Sequence, residues 1–464
     1  MMTKTAFAFV LVALLLPLAA RAADGPGALE PRIEGLVRPY VDGGILVGGV
    51  IGVVENGRET RVPFGWVSRD ASAPAAPTSE TVFEIGSISK AFTGTILALL
   101  VNDGRARLDQ PLQDLLPAEA VTIPVAGERP ITLADVATHT SGLPRMPSNF
   151  APKDPSNPYA DYTVEQMYAF VGSCRPARPP GGAYEYSNLA MGLLGHALAR
   201  KAGSSYEDLL VASIASPLGM TSTRIALTGD MRKRLAPGHD AALSPAANWD
   251  IPTLAGAGGI RSTASDMMRF LRANLAAGEA TPLAKAMALA QRTHWADPTG
   301  RMEMGLGWHI RVPGGWRWHN GQTGGYHSFL AFDREGGRGV VVLSNTASMK
   351  VDELGGALIE LLEGKDVKPI EAAKEVAVSK EILERYVGKY ELAPGLVFDV
   401  EVGDGRLEVQ LTGQPRFPVF AKSETEFAYR VVDASLAFEI EPGAQKAKAL
   451  VLHQNGVHRA KRVE

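Results

Sequence analysis

Residues 83–100 constrain the fold most, because they form a long apolar run that carries a single lysine. Every residue from 91 to 100 is apolar, glycine or threonine, which is the composition of a helix buried on all sides. Ser87 and Lys90 stand three residues apart at its start, so a helix presents both side chains on one face. Burial lowers the pKa of a lysine, and a neutral lysine can take the proton of a serine hydroxyl. The run therefore predicts a buried helix that begins with a candidate nucleophile and its base.

The first 22 residues have the composition of a signal peptide. Lys4 precedes an apolar run at 6–16, which is too short to cross a bilayer. Residues 20–22 form a small-x-small cleavage site before Ala23. No cysteine stands directly after this run, so we expect no lipid anchor there, and no later segment has the length of a membrane span. The sequence thus predicts a periplasmic or secreted protein without a stable membrane span.

Composition argues against several function classes. The 464 residues carry a formal net charge of −3, so no excess of positive charge points to nucleic acid. Cys174 is the only cysteine, and no histidine motif stands beside it, so we interpret it as an inert thiol. No group of His, Asp or Glu has metal-ligand spacing. The glycine-rich turn at 256–260 lacks the context of a dinucleotide site, and we expect neither a cofactor nor a metal.

Up to residue 363 the pattern mixes strands and helices. Asn56-Gly57 is a typical hairpin turn between apolar strands at 48–54 and 60–66. Residues 145–162 are rich in Pro, Asn, Asp and Ser and predict a long loop, which would cover a substrate cleft. Further elements are expected as a helix capped by Thr132, helices at 189–201, 206–214, 266–275 and 354–362, and strands at 329–333 and 339–345.

After a charged stretch at 364–380, which we interpret as a linker, the hydrophobic period changes to two. Phe398, Val400 and Val402 alternate with Asp399 and Glu401, as in a half-buried strand. Short segments of this kind occur at 387–392, 396–402, 407–411, 416–420, 426–431, 436–441, 448–454 and 458–463. They predict a small antiparallel β-barrel at 381–464. We find no catalytic motif within it.

Three short motifs follow one another along the chain at wide spacing. They are Ser87-x-x-Lys90, Tyr186-x-Asn188 and His319-x-Gly321. Together with residues 83–86, 138–144 and 258–263, their order resembles the class C β-lactamase and penicillin-binding-protein superfamily of serine hydrolases. The resemblance covers residues 28–363 and implies an α+β fold at 23–363, an α/β sandwich with an antiparallel sheet and an all-helical subdomain. The C-terminal part resembles the lipocalin-like barrel appended to some members.

The resemblance implies a role for each residue of the first two motifs. Ser87 would attack a carbonyl and form an acyl-enzyme, and Lys90 would take its proton. Tyr186 would share or relay that proton; the alternative is a core aromatic whose hydroxyl is hydrogen-bonded. Asn188 would hold Lys90 and donate to a substrate amide, and the alternative for Asn188 is a helix cap.

The third motif would shape the substrate side of the cleft. By resemblance, the backbone amides of Ser87 and Gln322 stabilise the oxyanion, and Gly321 lets substrate approach the strand closely. His319 stands where many members have a lysine that faces the substrate carboxylate, and a histidine is mostly neutral at pH 7. His319 is thus a substrate-binding candidate, but a neutral ring weakens the case for strong carboxylate binding. Contact with a substrate carboxylate and a place in the cleft wall both stay open at this point. His139 is expected to be structural, and His327 has no assigned role.

The implied reaction is acyl transfer to water from a small-molecule or peptide substrate. The first hypothesis is a β-lactamase or a D-alanyl-D-alanine carboxypeptidase-like enzyme. The alternatives are an esterase of the same superfamily and a catalytically silent peptidoglycan-binding protein. The acyl group, the role of the barrel and the oligomeric state stay open at this point.

Overall fold

The computed structural model describes residues 29–68, 75–125, 127–176, 178–371, 376–403, 405–414, 416–430, 432 and 434–464. The predicted signal peptide at 1–22 lies outside these residues. None of the described helices is both long and apolar enough to cross a bilayer.

An eight-stranded antiparallel sheet forms the centre of the N-terminal part. The strands of this part are β1 (Gly48–Glu55), β2 (Arg58–Gly65), β3 (Val82–Glu84), β4 (Gly238–His239), β5 (Pro245–Ala246), β6 (Arg261–Thr263), β7 (Trp295–Ala296), β8 (Met302–Met304), β9 (His309–Arg311), β10 (Arg317–Gln322), β11 (His327–Asp333) and β12 (Arg338–Ser344). The order in the large sheet is β2-β1-β12-β11-β10-β9-β8-β7, whereas β3 pairs with β6 and β4 with β5. Asn56 and Gly57 both have positive φ, 51° and 75°, which confirms the predicted hairpin turn.

Helices cover both faces of this sheet and form a separate helical region. They are α1 (Leu29–Asp42), α2 (Ser89–Asn102), α3 (Leu133–Ala137), α4 (Val164–Ser173), α5 (Asn188–Ala202), α6 (Tyr206–Leu210), α7 (Gly229–Arg234), α8 (Ala255–Gly258), α9 (Ala264–Leu275), α10 (Pro282–Ala290), α11 (Lys350–Leu362) and α12 (Lys380–Leu383). A capping box between Thr132 and Asp135 starts α3, as expected. A π-helical turn at Val211–Ala215 continues α6.

Strand β12 shows how the sandwich is held together. Val340 and Val342 pack on the face that α1 and α11 cover, while Val341 and Leu343 join the core on the opposite face. The strand is buried on both sides, which is why it reads as a continuous apolar run. The predicted α/β sandwich with an antiparallel sheet is therefore confirmed. Helices α1, α4 and α10 and strands β7 to β9 were not anticipated from the sequence.

Helix α2 runs through the larger core and is buried on every side. It packs against α5, α8 and α10, and residues 89–98 are all buried. One single-turn 3-10 helix, Gly86–Ile88, leads into it. This arrangement places Ser87 at the surface of the core and Lys90 inside it, one turn further on.

The C-terminal part is a closed antiparallel barrel, as predicted. Its strands are β13 (Gly388–Ala393), β14 (Leu396–Gly403), β15 (Arg406–Leu411), β16 (Arg416–Ala421), β17 (Glu426–Ala428), β18 (Ser435–Glu439), β19 (Ala449–His453) and β20 (Val457–Arg462). They pair in chain order, and β20 closes on β13. Phe398, Val400 and Val409 point into the barrel core, so the alternation seen in the sequence is the inward–outward period of the strands. The predicted domain limits, with a linker at 364–380, stay a prediction.

Candidate active site

The turn that carries Ser87 is fixed from both sides. Ser89 Oγ donates to the carbonyl oxygen of Gly86 at 2.7 Å and accepts from the backbone N–H of Ile260 at 3.1 Å. Ser87 is partly exposed, whereas Ile88 and Ser89 are buried. Ser89 thus links the Ser87 turn to the residue that precedes β6. Of the two serines, Ser87 is the one whose hydroxyl a substrate can reach.

Lys90 is fully buried, and three oxygen atoms surround its amine. Nζ donates to Asn188 Oδ1 at 2.9 Å and to the carbonyl oxygen of Ala257 at 2.6 Å. Its third neighbour is Ser87 Oγ, also at 2.9 Å. Burial lowers the pKa of Lys90 well below its usual value, and the positive charge of Arg145 lowers this pKa further.

The two carbonyl-type oxygens decide how a neutral Lys90 is oriented. A neutral amine has two N–H bonds and one lone pair, whereas an amide or backbone carbonyl oxygen can only accept. When Asn188 Oδ1 and the Ala257 oxygen take both N–H bonds, the lone pair is left for the Ser87 hydroxyl. The geometry therefore matches a general base that is in hydrogen-bond contact with its nucleophile.

Tyr186 lies beside this pair, and its ring is close to two basic groups. The Lys90 amine is 4.7 Å and the Arg145 guanidinium 5.0 Å from the ring centroid. Burial raises the pKa of Tyr186 to about 12, against the opposing effect of a hydrogen bond with the Ser87 side chain. Tyr186 therefore holds its proton more tightly than a free tyrosine, whereas burial favours the neutral form of Lys90. Opposite pKa shifts in neighbouring groups are the pattern expected of a base and a proton donor.

Asn188 is the first residue of α5, but it does not cap the helix. Ser187 Oγ accepts from the N–H of Ala190 at 2.9 Å and donates to the Pro144 carbonyl at 2.6 Å, so Ser187 is the cap. The alternative interpretation of Asn188 as the cap is wrong. With the cap supplied by its neighbour, the Asn188 side chain faces Lys90.

His139 holds the segment that carries Tyr186. Its Nδ1 accepts from the backbone N–H of Ser187 at 3.1 Å, and its carbonyl accepts from Glu185 N–H at 2.7 Å. The ring is buried and lies 4.5 Å from the Tyr186 ring, centroid to centroid. These contacts agree with the structural role expected for His139. His327, left unassigned above, bonds through Nε2 to Asp352 Oδ1 at 2.9 Å.

Strand β10 lies directly against the Ser87 turn. A Cβ atom on Gly321 would come within 2.0 Å of the Ile85 carbonyl oxygen and 2.8 Å of the Ser87 nitrogen, so only glycine allows this approach. Likewise, Gly86 has φ +48° and a Cβ there would lie 2.6 Å from the nitrogen of Gln322. The backbone nitrogens expected to bind an oxyanion, those of Ser87 and Gln322, thus lie on two segments of the chain that are in close contact.

His319 belongs to this strand, and its side chain has no exposed surface. Its Nδ1 is 2.6 Å from the carbonyl oxygen of Asn320, and its buried Nε2 has no hydrogen-bond partner among the described residues. Burial, with added repulsion from His309 and Lys90, lowers the pKa of His319 well below its usual value. A buried neutral ring favours the cleft-wall alternative over contact with a substrate carboxylate, which stays untested.

The cleft at Ser87 is narrow and partly covered by the predicted loop. Its cavity holds about 30 Å³ and is lined by Ser87, Asn188 and Gln322 together with Tyr159 and Trp249. Tyr159 belongs to the loop at 145–162 and packs against Trp249 at 5.3 Å between ring centroids. The loop therefore forms part of the wall above Ser87, as its composition indicated.

Known proteins with a similar sequence or structure belong to one family, which agrees with the site described above. The Beta-lactamase family matches residues 33–363. The chain belongs to the beta-lactamase family. A separate domain family of unknown function matches residues 372–458, which include the barrel strands β13 to β19. The family consists of serine hydrolases, so the chain is an enzyme of that type.

Individual members of the family cover the catalytic part. A protein named beta-lactamase from Pseudomonas fluorescens is 28% identical over 68% of this chain and 92% of its own length. The D-alanyl-D-alanine-carboxypeptidase/endopeptidase AmpH of Escherichia coli K12 is 33% identical over 51% of this chain and 63% of its own length. The crystal structure of a beta-lactamase/D-alanine carboxypeptidase from Yersinia pestis aligns at a TM-score of 0.64 with 27% identity, covering 72% of this chain and 98% of that one.

Several residues of this family member's site were not predicted from the sequence. The Ala257 carbonyl and the Ser89 crosslink depend on contacts between distant segments. Arg145 is exposed and carries the charge that acts on Lys90 and Tyr186. Its position directly after the family segment at 138–144 was the available signal. In the described part of the chain, no group of three or more His, Cys, Asp or Glu could hold a metal ion.

Proposed function

We propose that this member of the beta-lactamase family hydrolyses β-lactams or D-alanyl peptides through an acyl-enzyme on Ser87. One observation carries the proposal: Lys90 is buried, its pKa is lowered, and its amine is 2.9 Å from Ser87 Oγ. The relatives named beta-lactamase and D-alanyl-D-alanine carboxypeptidase support this substrate class.

In the proposed acylation, Lys90 Nζ accepts the Ser87 proton as Oγ bonds to the substrate carbonyl carbon. The backbone N–H groups of Ser87 and Gln322 stabilise the negative oxygen. The bond from the carbonyl carbon to the leaving nitrogen then breaks, and the nitrogen takes a proton from the Tyr186 hydroxyl. Lys90 returns its proton to Tyr186, so both groups are restored.

Deacylation uses the same groups with water as the nucleophile. Lys90 takes one proton from water as its oxygen attacks the ester carbonyl. The bond between Ser87 Oγ and the carbonyl carbon then breaks, and Oγ recovers a proton from Lys90. The product is a carboxylic acid, and the enzyme is unchanged.

An ester substrate is the second candidate. His319 is buried and neutral at the position where a lysine would face a substrate carboxylate, so no permanent cation stands there. An ester needs no carboxylate anchor, and the acylation machinery is the same.

A substrate panel tests the proposal. Turnover of a penicillin, a D-Ala-D-Ala peptide and a short-chain ester is measured for the wild type and for Ser87→Ala. We expect turnover of a lactam or D-alanyl peptide that Ser87→Ala abolishes. Turnover of the ester alone would establish the second candidate, and turnover of none would indicate a silent peptidoglycan-binding protein.

We also propose that the protein is exported to the periplasm or the medium with cleavage before Ala23. The composition of residues 1–22 supports this proposal. Mass spectrometry of the protein purified from an exporting host should give an N-terminus at Ala23. An intact Met1 on the exported protein would contradict it.

A further inference from the structure

A second cavity lies where the catalytic part meets the barrel. Its volume is about 360 Å³, which is within the usual range for small-molecule sites. Gln322, Ala347 and Met349 line it from the catalytic side. The barrel contributes Phe398, Val409, Leu411, Phe417, Tyr429 and Leu452.

The barrel side of this cavity is an opening into the barrel core. Phe398, Val409 and Leu452 belong to the buried core of the barrel, and Leu411 packs against that core while half-buried. At the rim, Met349 is 55% exposed, although it is a large apolar side chain. Apolar surface that is left accessible in a concave site is typical of a ligand-binding site.

The cavity is adjacent to the active site and shares one lining residue with it. Gln322 lines both this cavity and the narrow cavity that contains Ser87. The narrow cavity holds only about 30 Å³, far below the roughly 300–1,000 Å³ of a usual small-molecule site. A bulky group attached to the reacting carbonyl must therefore extend beyond it, and the space on the far side of Gln322 leads into the barrel.

The chemistry of the lining selects the kind of group. Among the described residues that line the barrel cavity, none is charged, and the polar ones are three glutamines and one tyrosine. Burial of an unpaired charge there would be costly, whereas each methylene removed from water is favourable. The site thus suits an aliphatic chain or an aromatic ring.

We propose that the barrel cavity binds an apolar substituent of the substrate whose carbonyl reacts with Ser87. This inference rests on the proposed hydrolase function. It makes the barrel a specificity-determining part of the enzyme, although the barrel supplies no catalytic group.

Two ester series test the inference. In one, the acyl chain of a p-nitrophenyl ester lengthens from acetyl to octanoyl; in the other, an acetyl ester carries alcohols of increasing length. In at least one series, kcat/KM of the wild type should rise about threefold to fourfold per methylene. Met349→Glu and Leu411→Glu should flatten that rise.

The matched control is Val457→Glu. Like Leu411→Glu, it adds one negative charge to the barrel, but at a residue that is 68% exposed and does not line the cavity. This variant should keep the wild-type chain-length dependence. A rise that persists in both cavity variants, or no rise in either series, would overturn the inference.

Binding of an apolar fluorophore separates this inference from the proposed function. If no substrate turns over, the proposed function fails, and N-phenyl-1-naphthylamine still reports on the cavity. Its fluorescence should increase with the wild type and with Val457→Glu and should increase at least fivefold less with Met349→Glu. Equal binding by all three proteins, or none, would contradict the site.

Discussion

The cleft at Ser87 and the barrel cavity share Gln322 but are built from opposite chemistry. In the cleft, polar atoms from three distant segments converge on one amine at 2.6 to 2.9 Å. In the barrel cavity, apolar side chains from neighbouring strands surround an open volume. Hydrogen bonds require a fixed geometry, whereas apolar contact depends mainly on buried area. Substitutions should therefore have large effects on rate in the cleft and moderate effects on substrate preference in the barrel.

The largest effect is expected from substitutions that remove Lys90 or Tyr186, the two groups proposed to transfer protons in the cleft. Lys90→Met and Tyr186→Phe should each lower the acylation rate about 10²- to 10⁴-fold. The double variant should be little slower than the worse single one, because the two groups act as a unit. Lys201→Met, at an exposed position, is the control and should match the wild type in stopped-flow acylation. Additive losses would show that one of the two groups is only structural.

The second effect depends on the charge beside Lys90. Asn188→Asp would place a carboxylate where the amide oxygen accepts from Nζ, and an adjacent negative charge raises the pKa of a lysine by about 1–3 units. Because Lys90 must be neutral to act, the acidic limb of kcat/KM should move to higher pH by that amount. Asn188→Ala should lower the rate without this upward shift. A pH–rate profile in Asn188→Asp that overlays the wild type would contradict the assignment of Lys90 as base.

Removal of the barrel sharpens the contrast between the two regions. Relatives such as the Yersinia pestis protein match the catalytic part over 98% of their length, so this part folds alone in those proteins. A chain that ends at Lys365 should keep labelling of Ser87 by a small fluorophosphonate within about threefold. Its preference for octanoyl over acetyl esters should fall about tenfold or more, because the apolar contact is lost. Loss of labelling in a folded truncated chain would mean that the barrel supports the catalytic groups.

Arg145 should have a smaller effect that acts only through charge. Its guanidinium lowers the pKa of Lys90, so Arg145→Gln should raise that pKa. The acidic limb of the pH–rate profile should then shift upward by a fraction of a unit, since the arginine is exposed and solvent screens its charge. Arg232→Gln, also at an exposed position, is the matched control. A downward shift, or an equal shift in the control, would contradict this effect.

The smallest expected effect concerns His319. If this ring faced a substrate carboxylate, the ratio of kcat/KM for anionic over neutral substrates would rise as the histidine gains a proton. The ring is buried and its pKa is lowered well below the usual value, so it stays neutral down to pH 6. We expect the ratio to change less than twofold between pH 8 and pH 6. A rise of fivefold or more, abolished in His319→Gln, would restore the carboxylate contact.

Local patterns were sufficient to predict much of the fold and the first motif. The apolar composition of the run after Lys90 is sufficient to predict a buried helix. The alternation around Val400 is sufficient to predict a strand with inward- and outward-facing side chains. The sandwich of an antiparallel sheet and helices followed from resemblance rather than from these patterns.

Contacts between distant segments could not be predicted in the same way. The Ala257 carbonyl accepts from Lys90 across 167 positions of the sequence. Every residue has a backbone oxygen, so residue type does not indicate which one makes this contact. The burial of His319 depends on the packing of His309 and Tyr186 around it. The barrel cavity likewise exists only because Gln322 of the sheet strand β10 and Leu452 of the barrel line one space.

The most direct test is to locate the covalent adduct by peptide mapping. The protein is treated with a fluorophosphonate or a penicillin, digested and sequenced by mass spectrometry, in parallel with Ser87→Ala and Ser89→Ala. We expect one adduct per chain, on the peptide that contains residues 86–90 with fragment ions that place it on Ser87, and none in Ser87→Ala. An adduct on Ser89 or on any other residue, or an unchanged adduct in Ser87→Ala, would contradict the assignment of Ser87 as the nucleophile.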